Sequence, residues 1–243
     1  MKRVAVITGA TRGIGNGLFQ RLAGKGCSVA TFYHKDEESA KRFKRDAIRF
    51  GVECQIELLD IRQYDELDGF VKRVYENFGR IDYLVNNIGV DVFKTIYDTS
   101  FEEWKLSQDI LLNAPLYLSK LVLPVMRAQQ FGRIVNIGAS SKDYLKGVPG
   151  IGPFGIHKAA LTVFTKTLAL EEIRNGITVN MVAPGSTESA GANAEERRIP
   201  ITLIPIGRRV KIDEVVDAIM YFLSDNSNSV TGQVIGVNGG LST

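Results

Sequence analysis

The chain has 243 residues, a normal length for one α/β domain, and its 44% hydrophobic content is enough to bury a large core. Charged residues make up 23%, which excludes a disordered chain, and 30 basic against 27 acidic residues leave a net charge of only +3. The basic stretch 41–49 alternates with apolar residues, which indicates the solvated face of an amphipathic helix rather than a nucleic-acid surface.

Cysteine and histidine are sparse. Cys27 and Cys54 fall in predicted strand regions, which indicates small buried hydrophobic positions in a reducing compartment and no disulfide. His34 and His157 are far apart in sequence, and no cluster has metal-ligand spacing, so no metal site is predicted. The N-terminus reaches glycines too soon for a signal peptide, and no apolar run approaches the roughly 20 residues of a membrane span. We expect a cytoplasmic protein without membrane or nucleic-acid partners.

Short β-branched runs alternate with helical patterns along the whole chain, which predicts one domain with a doubly wound, Rossmann-type parallel sheet of about seven strands. The runs are VAVIT (4–8), SVATFY (28–33), ECQIELL (53–59), YLVNN (83–87), RIVNIG (133–138), TVNMVA (178–183) and QVIGV (233–237). The least regular segment, 186–207, has the Gly, Ala, Glu and Pro content of a mobile flap.

The first predicted strand is followed by a glycine turn and a helix. Gly9, Gly13 and Gly15 let the backbone pass close to a pyrophosphate, and the amides at the helix start point at its negative charge. The spacing G-x-x-x-G-x-G is weak evidence by itself, since an ordinary tight turn between strand and helix also uses glycine. The strand before it and the helix after it supply the context that a dinucleotide site needs.

The end of the second predicted strand bears on the choice of dinucleotide. An acidic residue there would accept a hydrogen bond from the ribose 2′-hydroxyl and repel a 2′-phosphate. The chain has Tyr33 there, followed by His34 and Lys35, and Arg12 in the glycine turn adds a positive charge. We therefore predict NADP(H) in preference to NAD(H), because charge-assisted contacts to phosphate are the stronger ones. The alternative is that Arg12 and Lys35 are merely exposed; Asp36 follows too late to select NAD(H), unless the strand ends later.

Four motifs in order along the chain resemble those of the short-chain dehydrogenase/reductase family. TGATRGIG (8–15) is similar to the family's first motif, and NNIG (86–89) is similar to its N-N-A-G. GITVNMVAPG (176–185) resembles the strand and Pro-Gly corner beside the nicotinamide, and VTGQVIGVNGG (230–240) resembles the C-terminal strand. In general the chain looks most like the 3-oxoacyl-(acyl-carrier-protein) reductase branch.

The resemblance implies which residues meet the cofactor. Gly9, Thr11, Gly13, Ile14 and Gly15 would cradle the diphosphate, Asp60 and Ile61 would meet the adenine, Asn87 and Gly89 would line the ribose and nicotinamide, and Pro184, Gly185 and Ser189 would border the carboxamide.

The resemblance also implies a catalytic helix, in the stretch PFGIHKAALT (153–162). In the family a Tyr phenol supplies the proton for carbonyl reduction, and a Lys four residues later, on the same helix face, lowers the pKa of the Tyr and binds the ribose. Lys158 fits this pattern, but Phe154 stands in place of the Tyr. A phenyl ring cannot donate a proton, and a positioned general acid contributes roughly 10²–10⁴-fold in rate. We expect most turnover to be lost, with Phe154 acting as a packing aromatic.

A third family position is an Asn on the central helix that holds a water. Counting in the family's register along FEEWKLSQDILLNAPLYLSKLVLPVM (101–126) places Leu111 there. Asn113 lies about 200° further around a helix, so it should not face the site. We expect the water relay to be absent.

The fourth position, a Ser that polarises the carbonyl, is ambiguous. The strand register puts Ala139 there, whereas the family's interval before Phe154 gives Ser141; Ser140 or Ser141 reaches the carbonyl, or both are loop-end residues. Tyr144 on the following loop is a candidate substitute acid, or an ordinary aromatic residue of a substrate loop.

His157 should point about 100° away from Lys158, at a subunit interface or on the surface. The two longest predicted helices are apolar on more than one face, and proteins of the resembling family usually form tetramers or dimers through these helices. We therefore predict a homo-oligomer, a tetramer or dimer, and leave a hetero-oligomer open.

Two functions stay open. One is an NADP(H)-dependent oxidoreductase with weak or altered activity on a small carbonyl or hydroxyl substrate or an acyl thioester. The other is an inactive NADP(H)-binding protein that senses the cofactor or serves as a silent subunit.

Overall fold

A computed structural model of the chain describes residues 2–139, 147–188 and 199–241. Within these ranges seven strands form one parallel sheet in the order β3-β2-β1-β4-β5-β6-β7. The strands are Val4–Ile7 (β1), Ser28–Tyr33 (β2), Cys54–Leu58 (β3), Tyr83–Asn86 (β4), Gly132–Ile137 (β5), Ile177–Pro184 (β6) and Val234–Val237 (β7). All seven predicted strands are confirmed, because fully apolar β-branched runs are typical of parallel strands buried on both faces.

Helices cover both faces of the sheet. One apolar cluster contains Phe19, Phe43 and Phe222, and the other contains Phe70 and Leu118, so the doubly wound architecture is confirmed. The helices in the described part of the chain are Gly13–Ala23 (α1), Glu37–Phe50 (α2), Tyr64–Phe78 (α3), Phe101–Gln108 (α4), Ala114–Gln129 (α5), Gly152–Glu172 (α6) and Ile212–Leu223 (α7).

A single π-helical turn, Asp109–Asn113, joins α4 to α5. By length and composition alone, the stretch Phe101–Gln129 could cross a membrane. Leu118, Val122 and Met126 lie in the apolar cluster under the sheet, so packing inside this fold accounts for much of that apolar character. A core helix passes the same test of length and composition as a membrane span.

The order of the strands reverses between β1 and β4, which pair directly with each other. In an open parallel sheet, ligands bind in the crevice beyond the carboxyl ends of the strands at such a reversal. The glycine turn after β1 and the segment after β4 both open onto this edge. The helix that carries Lys158, α6, follows β5.

The predicted flap lies partly outside the described residues, since 189–198 are not among them. Its two ends are tied to the body of the protein. The Val210 amide donates to the Ser186 carbonyl over 3.0 Å, and the Ile206 amide donates to the Gly239 carbonyl over 2.9 Å. The segment therefore leaves from the end of β6 and returns beside the end of β7.

Candidate active site

The glycine turn after β1 has the backbone geometry that a dinucleotide needs. Gly9 and Gly13 have φ values of +72° and +55°, a backbone region that residues other than glycine rarely adopt. A Cβ at Gly15 would lie 2.2 Å from the Gly9 carbonyl oxygen, so the first turn of α1 packs on the turn only if this residue is glycine. A Cβ at Gly13 would meet no described atom within 4 Å, which leaves open space over the helix start.

The first amides of α1 are free to bind an anion. Arg12 occupies the N-cap position, and among the described residues its side chain makes no capping hydrogen bond; the first turn also carries no acidic residue. Uncapped amides and the positive end of a helix dipole favour phosphate. The site therefore fits the diphosphate that the sequence predicts.

Two threonines brace this turn, and sequence reasoning missed both. Thr8 Oγ1 accepts hydrogen bonds from the amides of Asn87 (2.8 Å) and Ile88 (2.9 Å), and Asn87 Nδ2 donates to the Thr8 carbonyl over 2.9 Å. Thr31 Oγ1 accepts from the Ala10 amide over 3.2 Å. The turn is thereby tied to β2 and to the end of β4, where Asn87 holds it.

The exposed residues that follow directly after β2 include Lys35, and the strand's own last residue carries no carboxylate. The strand ends at Tyr33, and His34 and Lys35 are exposed. Asp36 caps α2 by accepting from the Ser39 amide over 3.0 Å, so its carboxylate is engaged beyond the strand end. Arg12, in the glycine turn, lies near enough for its charge to help lower the pKa of Asp36, behind the larger effect of the Ser39 hydrogen bonds.

Asp60, predicted to meet the adenine, is held by Arg62. Arg62 Nε donates to both carboxylate oxygens over 3.0 and 3.1 Å, and this contact is the main reason that the pKa of Asp60 falls to about 2. His34 Nε2 lies 3.7 Å from the same carboxylate. The side chain of Ile61 is buried in the core, so only its backbone edge is available to a ligand.

Lys158 is buried at the centre of the site, with 5% of its surface exposed. Its Nζ donates to the Ile137 carbonyl at the end of β5 over 2.5 Å. Burial lowers the pKa of Lys158 to about 8, and the charge of Asp91 opposes that effect. A lysine of this kind titrates close to neutral pH, whereas an exposed lysine stays charged.

Phe154 lies one turn before Lys158 on α6, and its ring centroid is 6.0 Å from Lys158 Nζ. The ring packs edge-on against Phe93, with centroids 4.8 Å apart. The position where the family has a phenol is therefore a half-buried aromatic contact with no proton to give.

Leu111 lies in the π turn with 1% of its surface exposed, and its Cδ2 would be 3.9 Å from a Cβ at Gly89. Asn113 instead donates to Asp109 Oδ1 over 2.9 Å, and Asp109 also contacts the Tyr64 hydroxyl. The side-chain amide of Asn113 is therefore engaged within the turn itself. The sequence did not predict this π turn, because the angle of about 200° between Leu111 and Asn113 holds only on a regular α-helix.

The Pro-Gly corner closes the site at β6. Gly185 donates its amide to the Val237 carbonyl over 2.9 Å, and a Cβ at Gly185 would lie 2.8 Å from Asn238 Cα. The corner after Pro184 is thus packed directly on the end of β7, and only glycine allows this approach.

Residues 9–242 match the family model described as enoyl-(acyl carrier protein) reductase. The chain belongs to the short-chain dehydrogenase/reductase family. This family member is 36% identical over 245 residues to YtkK of Bacillus subtilis, a protein provisionally named an oxidoreductase, and the match covers 98% of this chain and 96% of that protein. It is 34% identical to a 3-oxoacyl-(acyl-carrier-protein) reductase of Synechocystis, covering 98% and 96% of the two chains. It also resembles the crystal structure of an actinorhodin polyketide ketoreductase with NADPH, at a TM-score of 0.90, 32% identity, and 100% and 98% coverage.

Four predicted site residues of this short-chain dehydrogenase/reductase lie outside the described residues. They are Ser140, Ser141, Tyr144 and Ser189. Ala139 is described, half-buried just beyond β5. Which residue polarises the carbonyl, and whether Tyr144 substitutes for the phenol, therefore stay predictions.

The expectation that His157 lies on the surface is wrong. It is 3% exposed, its Nδ1 lies 2.9 Å from Ser107 Oγ, and its ring packs on Trp104 with centroids 4.7 Å apart. His157 lies about 100° around the helix from Lys158, and this direction faces α4. The sequence did not indicate that α4 packs at this place. Burial lowers the pKa of His157, so it is a neutral packing residue near pH 7.

Proposed function

We propose that this protein is an NADP(H)-dependent oxidoreductase that acts slowly on a carbonyl or hydroxyl substrate, either a small molecule or an acyl thioester. The observation that carries the proposal is the buried Lys158, positioned at the carboxyl edge of the sheet while its partner position is occupied by Phe154. The family and its reductase relatives support the type of reaction.

The cofactor would be held by the elements around the strand reversal. The free amides of α1 would bind the diphosphate, Lys158 Nζ would meet the nicotinamide ribose, and the corner at Pro184 and Gly185 would border the carboxamide. When bound, a nicotinamide cofactor supplies or accepts a hydride. The protein's own residues must orient the substrate and move the proton.

The preference for NADP(H) is supported by the charges at the end of β2. Arg12 and Lys35 are exposed there, and the nearest carboxylate on the following segment, Asp36, is engaged in capping α2. Asp60 is neutralised by Arg62. A 2′-phosphate would meet net positive charge at this place.

Slow turnover follows from the two altered positions. Phe154 has no ionisable hydrogen, and Leu111 has no amide to hold a water next to Lys158. Loss of a positioned general acid lowers the rate by roughly 10²–10⁴-fold. Hydride transfer itself requires only that the reacting atoms be held at close distance, so a reduced activity is retained.

The second candidate function is a protein that binds NADP(H) without turnover, as a cofactor sensor or a silent subunit. It is favoured by the contact between Phe93 and Phe154, which fills the phenol position with two packed rings. Buried Leu111 next to Gly89 makes the neighbouring wall apolar as well.

We also propose a homo-oligomer formed through α5 and α6. Ile156, Val163 and Leu170 recur at seven-residue spacing on α6, and all three are exposed, Leu170 by 77%. An apolar stripe of this kind on a long helix indicates a protein contact. Sedimentation of the purified protein tests this, since a monomer would contradict it. A cytoplasmic location is part of the same proposal, in line with the free thiols of Cys27 and Cys54.

One assay separates the two candidate functions. The purified protein is titrated with NADPH and with NADH, and loss of NADPH absorbance is then followed with ketones, quinones and 3-oxoacyl thioesters. Tighter binding of NADPH with slow oxidation on part of the panel supports the enzyme. Tight binding without oxidation across the panel supports the silent protein, and no binding of either dinucleotide contradicts both.

A further inference from the structure

Two adjacent arginines lie where the chain returns to the end of β6 after the predicted flap. Arg208 is partly exposed and paired, since its Nη1 and Nη2 donate to the Glu214 carboxylate over 3.0 and 2.6 Å. Arg209 is buried, with 9% of its surface exposed, and it forms no ion pair with a described residue. A cation is rarely buried without a counter-charge, because the loss of its hydration is then uncompensated. The buried arginine of this pair therefore carries a charge that the described part of the protein does not balance.

The guanidinium of Arg209 also has hydrogen-bond donors to spare. Its Nη1 donates to Ser186 Oγ, and its Nη2 donates to the Ile199 carbonyl over 3.2 Å. Both acceptors are neutral, and the buried Nε has no partner among the described residues. A guanidinium presents several N–H donors in a planar fork that suits phosphate and carboxylate groups. The unused donors and the unpaired charge are together the features of a binding position for a negatively charged group.

Arg133 is a second buried arginine whose Nε lacks a described partner, but its surroundings differ. Its guanidinium donates to two backbone carbonyls and to the side chain of Asn228. It also stacks on the Phe131 ring, with 4.3 Å between its Cζ and the ring centroid. Arg133 lies at the start of β5, on the edge of the sheet opposite the candidate site. Contacts within the fold therefore account for Arg133, whereas Arg209 lies on the edge of the sheet that holds the site.

Arg209 is close to the elements that would hold the dinucleotide. Ser186, which it contacts, directly follows the Pro-Gly corner. Three residues after Arg209, Ile212 packs on α1, where a Cβ at Gly17 would lie 2.8 Å from Ile212 Cγ2. The chain therefore runs from the corner to the helix whose first amides are uncapped. An anion bound beside the corner is within reach of the Arg209 side chain.

We propose that Arg209 binds an anionic group, a phosphate or a carboxylate, of a ligand that occupies the site beside the Pro-Gly corner. This inference rests on the proposed function. The anion comes either from the diphosphate of the dinucleotide or from a charged group of the substrate. Either source supplies a counter-charge and further acceptors to the buried guanidinium, and charge-assisted hydrogen bonds of this kind are the strong ones. Arg209 is then a residue that selects ligands by their charge.

The first test measures the affinities for NADPH and NADH by fluorescence titration. It compares the native protein with Arg209→Met, Ser186→Ala and Arg174→Met. Ser186→Ala removes the contact of Arg209 with the corner but keeps the charge. Arg174→Met removes the same charge from an exposed residue before β6, at the opposite edge of the sheet. If the diphosphate is the source, Arg209→Met should weaken both dinucleotides alike, by roughly tenfold or more, and both controls should change the affinities little.

The second test measures substrate binding to the protein loaded with NADPH, by calorimetric titration. The probes are the coenzyme A ester of a 3-oxo acid and the N-acetylcysteamine ester of the same acid, which has the same acyl group and no phosphate. If the substrate is the source, Arg209→Met should remove the preference for the coenzyme A ester and leave dinucleotide binding unchanged. Arg209→Lys keeps the charge without the planar fork, so it should retain part of the affinity in both tests, and it replaces Arg209→Met if the methionine variant does not fold.

Either result supports the inference and identifies the anion. Native affinity of Arg209→Met for every ligand tested, or the same losses in Ser186→Ala, would overturn it. An equal loss for the charged and the neutral ester, with dinucleotide binding unchanged, would also overturn it. In each of these cases NADPH binding by the native protein still supports the proposed function. If the native protein binds neither dinucleotide, the proposed function itself is overturned, and this inference with it.

Discussion

Replacing Lys158 by methionine should change the pH dependence of stability in a defined direction. Methionine has a similar length and carries no charge, so the substitution removes the cost of burying an ammonium group. The pKa of Lys158 falls from 10.5 to about 8 on folding. At about 1.4 kcal/mol per pH unit, that shift corresponds to a penalty of about 3 kcal/mol on the free energy of unfolding.

The sign follows from proton linkage. Below about pH 8 the lysine is charged in both folded and unfolded chains, so the folded protein carries the whole penalty. Between about 8 and 10.5 the unfolded chain binds more protons than the folded one, so the penalty disappears as pH rises. Loss of the hydrogen bond to Ile137 costs the variant about 1.5–3 kcal/mol, in a way that depends much less on pH.

The assay is urea unfolding of both proteins, followed by the fluorescence of the single tryptophan, Trp104, across this pH range. The stability of Lys158→Met relative to the native protein should be greatest near neutral pH and should decline by about 3 kcal/mol towards pH 10.5. If the difference in the free energy of unfolding between the two proteins stays constant with pH, the claim that burial destabilises the charged form of Lys158 is refuted.

Three further predictions concern the cofactor cradle and the π turn. Gly15→Ala should abolish NADPH binding and weaken folding, because its Cβ would lie 2.2 Å from the Gly9 carbonyl oxygen; calorimetric titration and thermal unfolding check this, and normal affinity would contradict it. Replacing Arg12 and Lys35 together by serine should weaken NADPH binding by more than tenfold and change NADH binding little; equal losses for both dinucleotides would refute a 2′-phosphate site. Leu111→Asn should destabilise the protein by about 2–5 kcal/mol in urea unfolding, because it places an amide in a buried apolar position; an unchanged midpoint would contradict this packing.

The sheet could be predicted from the sequence because its strands are uniformly apolar and β-branched. Such runs have one stable environment, the middle of a parallel sheet, and the order of elements along the chain then restricts the topology. The family resemblance singled out Lys158 and Phe154, and their shared helix face was predictable because a spacing of four residues fixes it on any regular helix.

The features that the sequence did not predict depend on contacts between segments that are far apart in the chain. The π turn at Asp109–Asn113 changes the angular relation between Leu111 and Asn113, and no residue in the turn signals it in the sequence. Thr8, directly after β1, and Thr31, on β2, brace the glycine turn through contacts with segments far away in the sequence. His157 is buried because α4 lies beside it, a position that its helical angle alone does not give.

The central claim is that the chain keeps a dinucleotide site but lacks the usual proton donor. It is tested most directly by NADPH oxidation with one carbonyl substrate, compared between the native protein and Phe154→Tyr. Both proteins should bind NADPH alike, and the tyrosine should increase the rate by up to roughly 10²-fold, since the phenol would share a helix face with Lys158. Fast oxidation by the native protein that the added hydroxyl does not increase would contradict it.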